Sequence, residues 1–195
     1  MEAERFLDEY LRGVLASTLG VEADVRLMRE RYPHQDALRL SERIVADSVT
    51  RSGQLGVVVG LATLVPIFGG AFLFGTIAAD ASLLLREQLA MLIRLSYLYD
   101  PDRPRAEREL EAVGFFALHA SDGDLPTSPA PALAGHFARQ VFKHAGRRLM
   151  HYARHVISGW MYYPMSLIVS AKVNRDSTGE LGEFVALELE RRRRR

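Results

Sequence analysis

One uncharged run, Leu55 to Ala79, constrains this chain more than any other feature. A membrane-spanning helix needs about 20 apolar residues, so length alone permits a crossing. The punctuation divides the run. Pro66 removes a backbone donor and kinks or ends a helix. Gly69-Gly70 comes within a turn of it and favours a reversal. The first arm, Leu55 to Val65, rises about 16 Å at 1.5 Å per residue, too little for a bilayer. The second arm starts at Ala71 and runs on into Asp80, Arg86 and Glu87. The pattern predicts a helical hairpin. Small residues recur every four positions, Gly56 and Gly60 on one arm and Ala71, Gly75 and Ala79 on the other. Such faces let two backbones approach closely, in membranes and in water-soluble cores alike. Two placements fit: a hairpin buried inside a helical domain, and one that dips into or docks on a membrane.

After Asp80 the period is helical, with Leu84, Gln88, Met91 and Leu95 on one side. A spacing of seven puts Asp80 and Glu87 on one face, two turns apart. Two carboxylates so placed can hold a metal or share a proton. They can equally pair with basic residues of the same fold.

The run GGAFLFGTIAADASLLLREQLAMLIRLSYLYDPDRPRAERE resembles the core of the EcsC protein family. The likeness lies in a glycine-rich apolar lead-in, then Ala79-Asp80 opening the Leu-rich helix Leu83 to Leu95. The turn Tyr99-Asp100-Pro101-Asp102 and an acidic/basic helix come next. Pro164, Asn174, Thr178 to Gly182 and Ala186 extend the similarity, which spans about residues 45–189. The chain departs from the family's turn pattern at Tyr97-Leu98-Tyr99-Asp100, which bears on the turn geometry. The resemblance implies an accessory protein of the kind encoded beside an ABC transporter, and it carries no catalytic residues.

A chain of 195 residues is one domain by size, with enough length to bury a core. Within it, 1–53 reads as N-terminal helices, 54–120 as hairpin and core helices, 121–131 as a loop, and 132–195 as basic C-terminal helices. There is no cysteine, which excludes disulfides, thiol nucleophiles and thiolate metal sites. The N-terminal MEAERFLDEYLRG is acidic and amphipathic, unlike a signal peptide, so the expectation is a cytoplasmic, non-secreted protein.

The net charge of +1 hides an asymmetry. From Leu125 to Arg175 there is no Asp or Glu, while Arg139, Lys143, Arg147, Arg148, Arg154, Lys172 and Arg175 give +7. The rest of the chain therefore carries −6. Such segregation predicts a polyanionic partner, or an acidic face within the fold.

Taken in order, Ala3 to Leu19 reads as a helix stopped at Gly20. Glu22 to Arg31 is a second, ended at Tyr32-Pro33. Asp36 opens a third, with Leu38, Leu40, Ile44, Val45 and Val49 toward the core, ending near Ser52-Gly53. Asp102-Arg103-Pro104 starts a helix that runs to His119 and buries Leu110, Val113, Phe116 and Ala117. Ser121 to Pro131 is the clearest loop.

Ala132 to about Ile157 has the period of a cationic amphipathic helix. Val141, Phe142, Leu149, Tyr152, Ala153 and Val156 fall on one side. Arg139, Lys143, Arg147 and Arg154 fall on the other, with His136, His144, His151 and His155. Such helices lie on anionic membranes, track polyphosphate backbones, or pair with an acidic face of their own fold. His151 and His155 have the i, i+4 spacing of two metal ligands, but no glutamate stands between them and arginines crowd them. Histidines beside arginines also suit a pH-sensitive surface. Gly159 to Pro164 is an aromatic knot, a packed corner or an interfacial anchor. Ser177-x-x-Glu180 reads as a capping box opening the last helix, with Leu181, Phe184, Val185 and Leu189 as its apolar side. Arg191 to Arg195 close the chain. Cations suit a helix C-terminus, but five in a row repel one another, so the tail is expected to fray; it is either an unselective solvated tail or one that holds lipid headgroups or nucleic acid.

No phosphate-binding loop, dinucleotide fingerprint or nucleophile elbow occurs. The expected fold is all-α, a bundle of about eight helices around a central Gly-rich apolar hairpin and one long helix, Ala71 to Tyr99. The leading functional expectation is a non-enzymatic, EcsC-like accessory protein, peripheral to an anionic membrane and linked to transport. Its contact residues would be Arg139, Lys143, Arg147, Arg148, Arg154, Arg191, Arg192 and Arg193, its partners anionic lipid or a membrane protein, and it needs no cofactor. A second class is a metal-dependent hydrolase joining Asp80 and Glu87 to His151 and His155. A third is a nucleic-acid-binding helical protein, although aromatic platforms between the arginines are lacking.

Overall fold

The computed structural model describes residues 2–62, 69–120 and 163–195, with side chains described at 9–57, 82–116, 118–119 and 171–195. Among these residues the fold is all-α, with six helices and no strand. They are α1 (Glu2–Ala16), α2 (Val21–Arg31), α3 (Ala37–Ala62), α4 (Gly69–Tyr99), α5 (Arg105–Ala120) and α6 (Tyr163–Arg193). The expected basic helix over 132–157 and the loop over 121–131 lie outside the described residues. So does the reversal at 63–68.

The centre is α4, which packs on each of the other five helices. The reason is in its sequence. From Leu89 to Leu98 the helix is apolar on all sides apart from Arg94 and Ser96, and a helix without a polar face must be covered all round. Leu89, Met91, Leu92, Ile93, Leu95 and Leu98 are at most 1% exposed. Val25 of α2, Ile44 of α3, and Leu181 and Val185 of α6 complete the core. Full burial of side chains of this size contributes about 1.5–3 kcal/mol each.

The helix starts obey local chemistry. The Asp36 carboxylate accepts a hydrogen bond from the backbone N–H of Arg39 at 2.8 Å, an N-cap that opens α3 as expected. Gly20 stands immediately before α2 with φ +93°, a left-handed conformation that suits glycine. It therefore serves the start of α2, while α1 already ends at Ala16.

Three expectations are corrected. The third helix does not stop at Ser52-Gly53. It continues to Ala62 and takes in most of the first hairpin arm, which packs with α4 as a helical pair. The glycines there serve close approach: a Cβ on Gly56 would meet the Ala171 backbone of α6 at 2.9 Å. Ser177 caps nothing. It lies mid-way along α6, a 31-residue helix that begins at Tyr163 and is helical as far as Arg193. On α5 Leu110 is 62% exposed. The inward face is instead Arg108, Ala112 and Phe115, a stripe at i, i+4 and i+7, and Leu110 lies about 200° around from Arg108.

A polar seam runs through the contact of α3, α4 and α6. The Gln88 amide donates to the Ser177 hydroxyl at 3.2 Å and to Thr178 at 3.4 Å, and Thr178 donates to Ser52 at 3.0 Å. Ser52, Thr178 and Asn174 are wholly buried. These bonds satisfy hydroxyls that would otherwise oppose burial, and they fix the register of three helices. Among the described residues, no helix is long and apolar enough to cross a membrane.

Candidate functional site

Of the two carboxylates on α4, the side chain of Asp80 lies outside the described residues. Glu87 is described, and its carboxylate is a counter-ion. Its Oε1 stands 3.5 Å from the Arg94 guanidinium and 3.7 Å from that of Arg51. Arg94 is 7% exposed and also reaches Asp24 at 3.2 Å. A buried guanidinium needs such partners, because an unpaired charge in the interior is strongly disfavoured. Arg86 donates to the Ser17 carbonyl at 3.2 Å beside them. Together these groups line a cleft of about 490 Å³ between the α1–α2 turn, α3 and α4. A carboxylate flanked by two guanidiniums is a poor dication ligand, since both cations oppose the metal. Among the described residues, no group of three His, Asp or Glu side chains is arranged to hold a metal. His151 and His155 lie outside the described residues, as do Arg139, Lys143, Arg147, Arg148 and Arg154.

A second arginine cluster ties the α1–α2 turn to the α4–α5 turn. Arg108, 6% exposed, donates to Glu22 at 2.7 Å, to the Pro101 carbonyl at 3.0 Å and to the Arg103 carbonyl, with its guanidinium 4.7 Å from the Tyr97 ring centre. Arg105 joins Glu22 at 3.2 Å, Glu109 at 2.7 Å and Thr18 at 3.1 Å. Sequence reasoning missed both clusters. The signal was present: Arg94 interrupts the apolar run LAMLIRLSYLY, and a charge inside such a run requires a partner from elsewhere in the fold.

The arginine tail divides in two. Arg192 is held: it pairs with Glu111 at 3.1 Å and Glu188 at 3.1 Å, and lies 5.0 Å from the Phe115 ring centre. Arg194 pairs with Glu190 at 2.9 Å. Glu111 also binds Arg103 at 2.8 Å, and that hydrogen bond is the chief reason the Arg103 guanidinium is pushed above its ordinary pKa. Arg191, Arg193 and Arg195 are exposed and make no ion pair among the described residues. The split comes from helical spacing: Arg192 and Arg194 each reach a glutamate four residues back.

Arg193 borders a cleft of about 370 Å³ with Arg29, Tyr32, Asp36 and Tyr99. The Tyr99 phenol has its pKa raised, first by burial and further by the neighbouring Glu190 carboxylate, with Ser41 partly opposing. The described part of the candidate contact is therefore a helix end carrying exposed arginines, chemically suited to bind anions. No family model, curated protein or solved structure matches the chain.

Proposed function

We propose that this chain is a non-enzymatic, EcsC-like accessory protein that binds the surface of an anionic membrane on its cytoplasmic side, in support of transport. The observation that carries the reading is the end of α6, where Arg191, Arg193 and Arg195 are exposed and make no ion pair among the described residues while Arg192 anchors the same turn to Glu111. Rigid presentation matters, because each basic residue near an anionic surface contributes about 1 kcal/mol, and the gain is larger when the side chains need little ordering. The basic segment that includes Arg139, Lys143, Arg147, Arg148 and Arg154 adds to the same attraction. The resemblance of residues 45–189 to the EcsC family supports an accessory role.

The test is liposome flotation with neutral and with anionic vesicles, at low and at high salt. The expected result is flotation with anionic vesicles only, reversed by salt. Flotation regardless of salt would instead point to insertion of the Leu55–Ala79 run. Absence of flotation in every condition would overturn the reading.

A further inference from the structure

We propose that the groove between α3 and α6 is a docking site for a cationic amphipathic helix of a partner protein. The groove has a volume of about 840 Å³. Its floor is apolar, formed by Leu38, Val45 and Val49 of α3 with Ala186 and Leu187 of α6. Leu187 is 55% exposed, a large side chain left facing water well inside a helix. The rim is acidic: Glu42, Asp176, Glu180 and Glu183 stand against the cation Arg175, a net charge of −3. All five rim residues are exposed, and their charges are therefore available to a partner.

Shape and charge select the occupant. Leu38, Val45 and Val49 recur at i, i+7 and i+11, so the floor is a straight stripe about 16 Å long. A stripe of that length in the valley between two packed helices accepts about three turns of a third helix, with apolar anchors below and basic residues along its flanks. Gly179 of α6 also lines the valley and leaves it without side-chain bulk beside Val49. An acidic rim repels anionic lipid and nucleic acid, so the groove is distinct in chemistry from the arginine edge and does not depend on membrane binding.

The probe is a labelled synthetic peptide of about 18 residues with a leucine stripe and flanking lysines, titrated onto the full chain and monitored by fluorescence anisotropy. The expected result is saturable binding that weakens at least tenfold in E180K/E183K and in Leu187→Glu, all exposed positions. Circular dichroism melts check that both variants fold. A scrambled peptide of the same composition should bind at least tenfold more weakly than the probe. Equal binding by the variants or by the scrambled peptide would overturn the proposal, as would no binding at all. A wild-type dimer that E180K/E183K converts to monomer would assign the groove to a second copy. Binding that appears only after Arg139, Lys143 and Arg147 are changed to alanine would assign it to the chain's own basic segment. Either outcome would also overturn the proposal.

Discussion

Gly182 of α6 sits against Val45 of α3 so closely that a Cβ on the glycine would meet both Val45 methyls at 2.8 Å. The Met91 sulfur of α4 stands 3.0 Å from the same point. Three helices thus meet where one residue has no side chain. Gly182→Leu should lower stability by about 1–3 kcal/mol through overpacking. Gly114, in α5, has open space around it. There Gly114→Ala should raise stability by about 0.5–1 kcal/mol through helix propensity. Urea denaturation of the two variants checks the pair; equal effects would contradict the packing described.

Glu87 is tied to Arg94, and removing either leaves the other with one ion-pair partner, Asp24 for Arg94 and Arg51 for Glu87. Glu87→Ala should cost about 1.5–3 kcal/mol, because a buried guanidinium loses a charged hydrogen-bond partner. Combining it with Arg94→Met should cost less than the sum of the single changes, since the second change removes the guanidinium that had lost a partner. A double-mutant cycle by urea denaturation measures this. Additive losses would show that the two side chains are not coupled.

Tyr99 gives a pH dependence of defined sign. Its phenol is raised in the folded chain above the ordinary value of about 10, so the native state holds the proton more tightly than the unfolded state. That stabilisation is complete below the unfolded value and is lost as pH rises through the folded one. Thermal melts between pH 8 and about 11.5 should show wild type losing stability at the alkaline end, and Tyr99→Phe losing less of it. Parallel curves would remove Tyr99 as the cause.

The arginine tail separates stability from binding. Arg192→Ala should lower stability by no more than about 1 kcal/mol, since the side chain is half exposed and its ion pairs are screened. The triple change of Arg191, Arg193 and Arg195 to alanine should leave the melting temperature unchanged and reduce anionic-vesicle flotation by about tenfold or more. Flotation unchanged by the triple variant would move the contact away from the tail.

The Ser177 hydroxyl tests the continuity of α6. Were Ser177 an N-cap, Ser177→Gly would cost only a few tenths of a kcal/mol. Inside a continuous helix the same change should cost about 1 kcal/mol, from glycine's lower helix propensity relative to serine together with the lost Gln88 bond. Chemical denaturation distinguishes the two.

Helical period in the sequence identifies the inward stripe Gln88, Met91 and Leu95 on α4, and Leu181, Val185 and Leu189 on α6. Periodicity reports burial well where one helix face is uniformly apolar. It fails at Leu110, because the inward face of α5 contains Arg108, and a buried arginine breaks the pattern. It fails at Ser177 because a capping motif and a buried polar seam use the same residue types.

The chain by itself determined that the fold is helical, that the long helix ending at Tyr99 lies at its centre, and that Asp36 opens a helix. Those are matters of local chemistry: apolar period, capping oxygen and helix length. Only the tertiary structure decided that Glu87 is a counter-ion to Arg94 and Arg51, and that Arg192 is clamped while Arg191, Arg193 and Arg195 make no ion pair among the described residues. It also decided which contacts the glycines make: Gly56 meets the Ala171 backbone, and Gly182 meets Val45 and Met91. The partners come from helices far apart in the chain, and a charge or a missing side chain takes its meaning from its packed neighbours.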